Sequence, residues 1–209
     1  MNLAIANDYS SVNPFSSYKI TIKEVHRDIL SNSELELLVN MKTDESHLDV
    51  ARDLFLFQCY TGFTYDDILN LKKSHIQIGI DGEKWIVCGR NKSNKVYRTP
   101  MFSIPLNLCR KYKNHSTCLR KNTMFPVPLN QNYNRNLKGV AVKCGIKKLL
   151  YSHLARHTFA TTVTLANGVP METLSRLLTH SKIQTTQIYG KIADQKLSED
   201  MDKLRQKLG

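Results

Sequence analysis

Residues 153–189 read HLARHTFATTVTLANGVPMETLSRLLTHSKIQTTQIY, and the interpretation of the whole chain starts from this stretch. His153 and Arg156 lie three residues apart, His180 follows, and Tyr189 comes nine residues after His180. Two imidazoles, a guanidinium and a phenol in a basic chain predict phosphodiester chemistry. The phenol would bond covalently to phosphorus, and the cationic groups would neutralise the charge that develops on the phosphate.

The stretch reads as helices interrupted by a turn at Asn167-Gly168-Val169-Pro170. Gly168 suits a helix C-cap, and Pro170 suits the first turn of the next helix. Upstream, Ser33 with Glu36 three residues later is typical of a capping box. Apolar spacing predicts three earlier helices, over residues 31–41, Asp49–Tyr60 and Asp66–Leu71.

Residues 75–105 change from helical to strand character. HIQIGI alternates, Asp81-Gly82 is a hairpin turn, KWIVCG follows as a second strand, and VYRTPMFSIPL reads as a third. Pro100 marks the third strand as an edge or bulged strand. The predicted fold class is therefore α+β, mostly α-helical with a small three-stranded antiparallel sheet.

Composition points to a globular domain that binds a polyanion. The chain has 209 residues, a hydrophobic fraction of 41% and a formal net charge of +12, which favours one domain, or one domain plus a fragment. The basic residues are spread along the chain, which disfavours a membrane surface as partner. We find no signal peptide and no apolar run long enough to predict a transmembrane helix.

The five cysteines form no C-x-x-C pair, and their number is odd. This pattern disfavours a disulfide framework or a zinc ribbon and suits a reducing cytoplasm, with the thiols as small buried hydrophobes. His153 and His157 are spaced i, i+4, but no Glu lies between them as in H-E-x-x-H. The sequence predicts neither a metal site nor a cofactor.

H-x-x-R at His153 and Arg156, L-x-H-x-x-x-x-T from Leu178, and Tyr189 occur in order and at familiar spacing. The stretch resembles the active-site segment of the tyrosine recombinases, the phage and mobile-element integrase family. The resemblance implies the tyrosine recombinase catalytic-domain fold and an enzyme that breaks and rejoins DNA without a cofactor.

The resemblance also implies roles for these side chains. Tyr189 would attack a DNA phosphodiester and form a 3′-phosphotyrosyl link with a free 5′-hydroxyl. Arg156 would bind non-bridging phosphate oxygens, for which a planar guanidinium is suited. His153 would hydrogen-bond the phosphate or act as base for the tyrosine, and His180 would be a second phosphate ligand. We assign His157 a structural role, because it points elsewhere on the helix than Arg156.

The loop GRNKSNKVYR joins the second and third strands, where the family places a lysine that protonates the leaving 5′-oxygen. Lys92 is the candidate for this general acid, and Lys95 competes with it. Simple phosphate contact is the alternative role for either lysine.

One position departs from the family pattern. The family has an arginine in T-G-[apolar]-R-x-x-[Glu or Asp], whereas Thr64 occupies that position and Asp67 matches the supporting acidic residue. Losing a charge-assisted contact to the transition state costs about 2–4 kcal/mol unless it is replaced. Another cation could fill the gap, with Arg90, Arg52 and Lys72 as candidates.

NPFSSYKI resembles the junction between the family's N-terminal DNA-binding domain and its catalytic domain. We expect residues 1–17 to be a linker or the end of a missing core-binding domain, and residues 18–209 to be the catalytic domain with a C-terminal helix. Leu197, Met201, Leu204 and Leu208 would form the apolar face of that helix.

The expected partner is double-stranded DNA in the bacterial cytoplasm, at the nucleoid. We expect a homotetramer on DNA and a monomer in free solution, acting to integrate or excise a mobile element. Two rivals stay open: a recombinase-derived DNA-binding protein with an impaired site, and a type IB topoisomerase.

Overall fold

The computed structural model describes residues 5–7, 9, 13, 28–89 and 96–179, and the single residues 186, 189, 201 and 205. Eight α-helices and three strands lie within these residues. The helices are α1 (Asn32–Asn40), α2 (Ser46–Thr61), α3 (Tyr65–Leu69), α4 (Ser103–Lys111), α5 (Ser116–Lys121), α6 (Asn130–Lys143), α7 (Ser152–Thr158) and α8 (Met171–Leu177). The strands are β1 (Ile76–Ile78), β2 (Lys84–Gly89) and β3 (Val96–Pro100).

Helix α2 is the centre of the helical core and packs against α4, α6 and α7. Its apolar side chains Leu54, Phe55 and Phe57 are fully buried. The ring of Phe57 meets Phe63 and Phe125 edge-on, at centroid distances of 6.0 and 4.7 Å. These edge-to-face contacts are the favoured geometry for aromatic pairs and anchor the segments that follow α2 and α5.

The sheet is antiparallel with strand order β1-β2-β3, as predicted. Ile76 pairs with Ile86, and Ile86 in turn pairs with Thr99 of β3. Only alternate residues of β3 are buried, including Tyr97 and Thr99, so one face of this strand packs inward. The predicted α+β class, mostly helical with a small three-stranded sheet, is confirmed.

Two local predictions are corrected by the structure. The first helix is capped by Ser31, whose partner in the capping box is Glu34, so the predicted pair of Ser33 and Glu36 is two residues too late. The third strand ends at Pro100, and α4 begins at Ser103. The apolar run after Pro100 therefore belongs to a helix rather than to a longer strand.

Helix α7 continues into a π-helical segment, Phe159–Thr164, and then a short 3₁₀ turn, Leu165–Asn167. Gly168 follows in the left-handed conformation with φ 88°, and α8 begins directly after Pro170, as the sequence predicted. The predicted C-terminal helix lies outside the described residues, apart from Met201 and Arg205. No helix among the described residues is long and apolar enough to cross a membrane.

Candidate active site

Helix α7 carries three of the side chains with potential chemistry. His153 is exposed in its first turn, whereas Arg156 and His157 are only 5% and 4% exposed. The helix lies against α2, so its inward face is formed by Leu154, Ala155 and the residues that follow. One helix therefore presents an imidazole to solvent and, one turn later, a guanidinium and a second imidazole to the interior.

The Arg156 guanidinium joins three parts of the fold. Nη1 donates to the carbonyl oxygen of Gly62 at 2.6 Å and to Tyr97 Oη at 2.9 Å. Nη2 donates to the carbonyl oxygen of Leu178 at 2.6 Å. Tyr97 Oη itself donates to the Gly62 carbonyl at 3.0 Å. The Arg156 guanidinium thus links the end of α2, the end of α8 and strand β3. A buried charge is costly unless it is hydrogen-bonded in this way.

Gly62 is the residue through which α2 reaches this cluster. Its φ of 73° is left-handed, and it caps the C-terminus of α2. A Cβ at this position would lie 2.5 Å from the Phe159 ring. Glycine is therefore required both by the backbone conformation and by the close approach of α2 to the segment after α7.

Tyr189 lies in a buried layer next to α7. It is 6% exposed and belongs to an apolar cluster with Phe159, Leu174 and Leu178. Its Oη shares a hydrogen bond of 2.9 Å with Nδ1 of His157, and the two rings are 5.5 Å apart. His157, predicted to be structural and to point elsewhere, is therefore in direct contact with the predicted nucleophile. The signal in the sequence is the i, i+4 spacing from His153, which places both imidazoles on one face of the helix.

An open cleft of about 850 Å³ lies at the start of α7. His153 and Ser152 of α7 line it together with Tyr97, the partner of Arg156. The structure thus brings His153 to a solvent-accessible cleft, whereas Arg156 is buried and contacts the cleft lining through Tyr97. Further lining residues come from α3, from the turn after it, from the end of β2 and from α6, and include Thr64, Asp67, Lys72, His75, Cys88, Gly89, Asn130 and Asn134.

Thr64 and Asp67 form a capping box at the start of α3. Thr64 donates to Asp67 Oδ2 through its backbone N–H at 2.8 Å and its hydroxyl at 2.7 Å. The Asp67 backbone N–H donates back to Thr64 Oγ1 at 3.3 Å. The threonine therefore has a clear local function, which is to start the helix whose side chains line the cleft.

The candidates to replace the missing arginine are placed differently. Arg52 binds Asp49 and Asp53 at 2.6 Å and the Met41 carbonyl, and it does not line the cleft. This ion-pair cluster holds the Arg52 guanidinium, which disfavours Arg52 as the replacement. Lys72 is exposed and lines the cleft. Arg90 lies outside the described residues.

A buried hydrogen-bond network links the start of α7 to α2 and α6. Gln58 Nε2 donates to Ser152 Oγ at 2.7 Å and to the Phe63 carbonyl at 3.1 Å. Tyr133 Oη of α6 donates to Gln58 Oε1 at 2.6 Å. Burial raises the pKa of Tyr133 well above its ordinary value, so its hydroxyl keeps the proton that it donates. Gln58 and Tyr133 were not singled out from the sequence.

The five cysteines are free thiols in the structure, and Cys59, Cys109 and Cys118 are buried. Cys88 lies on the cleft, where burial, and then the negative charge of Asp67, raises the pKa of its thiol to about 11. A thiol with this pKa is almost entirely protonated at neutral pH and is a weak nucleophile.

Several predicted site residues lie outside the described part of the chain: Lys92, its competitor Lys95, and His180. Their roles stay predictions. Within the described residues, no group of three or more His, Cys, Asp or Glu side chains is arranged to hold a metal ion.

Comparison with known proteins extends these observations. A model of the phage integrase family matches residues 28–196. Tyrosine recombinase XerD of Oceanobacillus iheyensis is 28% identical over 180 residues, which cover 82% of this chain and 60% of that protein.

Solved structures share the fold. The XerA recombinase superposes with a TM-score of 0.66 at 23% identity, covering 97% of this chain and 80% of that one. A variant integrase of the Tn1549 transposon, in complex with a circular-intermediate DNA, gives 0.65 at 17% identity, covering 95% of this chain and 74% of that one.

The chain belongs to the phage integrase family, as its sequence motifs predicted. Its fold is that of tyrosine recombinase catalytic domains. The chain spans about 60% of the length of the XerD recombinase from Oceanobacillus iheyensis.

Proposed function

We propose that this chain is the catalytic part of a site-specific DNA recombinase that integrates or excises a mobile element. One observation carries the proposal. A buried tyrosine, Tyr189, is hydrogen-bonded to His157, the neighbour of Arg156 on α7, and the same helix exposes His153 to a cleft, in a member of the phage integrase family. The relative from the Tn1549 transposon is an integrase solved with DNA, which supports the mobile-element role.

In the proposed reaction, Tyr189 Oη attacks a phosphorus atom of the DNA backbone. The Oη–P bond forms, the P–O5′ bond breaks, and the strand end becomes a 3′-phosphotyrosine. The phenol proton goes to a base, for which His153 is the candidate, and the leaving O5′ receives a proton from Lys92 or Lys95. Arg156 and His180 neutralise the phosphate oxygens, and attack by another strand's 5′-hydroxyl reverses the sequence.

This role requires a change in the site. Tyr189 is buried, and Arg156 donates to internal carbonyl groups at Gly62 and Leu178. Before the attack, either the DNA phosphate must therefore reach the buried Tyr189 and Arg156, or these two side chains must move towards the cleft. We propose that this change accompanies assembly on DNA. The protein is a monomer in free solution, and four protomers assemble on two duplexes. The place of action is the bacterial nucleoid.

Covalent capture tests the proposal. The chain is incubated with nicked duplexes whose base pairs around the nick are randomised, so that many target sequences are sampled. Cleavage close to the nick releases a short piece, and the cleaved strand then cannot religate. We expect a denaturation-resistant protein–DNA species with the native chain and none with Tyr189→Phe. An adduct that persists in Tyr189→Phe would refute the assignment of the nucleophile.

A second candidate is a DNA-binding protein with an impaired site. Thr64 favours it, because its hydroxyl is engaged by Asp67 and carries no charge. This candidate predicts DNA binding with no adduct for either protein. A type IB topoisomerase would instead give the adduct and also relax a supercoiled plasmid that lacks recombination sites.

A further inference from the structure

His157 is the side chain that holds the hydroxyl of Tyr189. The His157 Nδ1 and Tyr189 Oη atoms are 2.9 Å apart, and both residues are almost fully buried. The phenol ring is surrounded by Phe159, Leu174 and Leu178. A hydroxyl in such an apolar environment needs a polar partner, and His157 provides one.

The same imidazole lies next to the exposed histidine of the cleft. The rings of His153 and His157 meet edge-on at 6.0 Å, and the ring of Tyr189 follows at 5.5 Å. Residues four apart on a helix are neighbours on one face. His157 therefore contacts both the cleft-lining imidazole of His153 and the buried phenol of Tyr189.

We infer that His157 is a positioning residue for Tyr189, fixing the phenol oxygen relative to His153 and Arg156. The inference rests on the proposed function, in which Tyr189 is the nucleophile. A displacement of a reacting atom by about 1 Å can slow a reaction about 100-fold, so the loss of this hydrogen bond should slow cleavage strongly.

The geometry suggests a matched pair of variants. The bond uses Nδ1, which is attached directly to Cγ. An asparagine side chain places its amide atoms at that position, whereas a glutamine places them one bond further out, near Nε2. His157→Asn can keep the hydrogen bond to Tyr189 Oη, and His157→Gln cannot keep it at the same place.

The experiment measures the single-turnover rate of adduct formation on the randomised nicked duplexes, and separately the non-covalent affinity for the same DNA. We expect His157→Gln to lower the rate about tenfold or more, with the Kd changed less than about twofold, and His157→Asn to recover most of the rate. His47→Gln, at an exposed histidine that is 60% accessible, should leave both quantities unchanged.

The outcomes separate this inference from the proposed function. A Tyr189-dependent adduct that forms equally fast in wild type and His157→Gln overturns the positioning role and leaves the nucleophile assignment intact. Faster cleavage in His157→Gln, or equal slowing in the Asn and Gln variants, also overturns it. An adduct that is independent of Tyr189, or no adduct in the native chain, refutes the proposed function itself.

Discussion

At the scale of the residue, the position where the family has an arginine is occupied by a threonine with a structural task. Thr64 exchanges hydrogen bonds with Asp67 and begins α3, which lines the cleft. An acidic residue in the first turn is also favoured by the helix dipole. The capping box explains why both residues suit this turn. In the proposed enzyme, the charge that an arginine would bring comes from another side chain, and Lys72 on the same cleft is the candidate.

Removing the Thr64 hydroxyl should destabilise the fold. Thr64→Ala removes the N-cap of α3, and we expect the free energy of unfolding to fall by about 1 kcal/mol in a denaturant titration. Thr64→Ser retains the hydroxyl and is the control, expected to stay close to wild type. An alanine variant as stable as the serine variant would show that the cap contributes nothing.

At the scale of the element, the start of α7 depends on α2 and α6. Gln58 links the two helices to Ser152, the residue before His153. All three side chains are buried, with Gln58 and Tyr133 fully inaccessible. Buried polar networks of this kind stabilise a single arrangement only when every member is satisfied.

Gln58→Leu should therefore be costly. It leaves the Tyr133 hydroxyl without its acceptor and Ser152 without a donor, and we expect a loss of about 2–3 kcal/mol in the free energy of unfolding. Adding Tyr133→Phe removes the orphaned hydroxyl and should recover part of this loss. If the double variant loses as much free energy of unfolding as the sum of the two single variants, the coupling between Gln58 and Tyr133 is contradicted.

Local patterns predicted most elements but not the long-range contacts. The helix of α2, the hairpin at Asp81-Gly82 and the Gly168 cap follow from periodicity and turn chemistry and were predicted. The third strand was predicted too long, because apolar residues after Pro100 fit either a strand or the buried face of α4. Tyr97 and Arg156 are 59 residues apart, and no local pattern could pair them.

At the scale of the whole molecule, the excess of basic residues suits a duplex DNA partner. The formal net charge is +12, and duplex DNA is the proposed substrate. Much of the affinity in such complexes comes from counterion release at phosphates and carries no sequence information. The charge therefore predicts affinity for duplex DNA of any sequence.

DNA binding by this chain should weaken steeply with salt. Between 50 and 200 mM salt, neutralisation of only about two phosphates already raises the Kd about tenfold. We expect at least this change for a random duplex in fluorescence anisotropy titrations. A Kd that hardly changes over this range would contradict an electrostatic mode of binding.

In the proposed reaction, Tyr189 becomes covalently linked to a DNA 3′-phosphate. The most direct measurement digests the covalent adduct with trypsin and nuclease and locates the attached nucleotide by mass spectrometry. We predict the nucleotide on the peptide IQTTQIYGK, residues 183–191, at Tyr189, with the released strand carrying a 5′-hydroxyl that a kinase can phosphorylate. A nucleotide on another residue, or a 5′-phosphate linkage, would contradict the account.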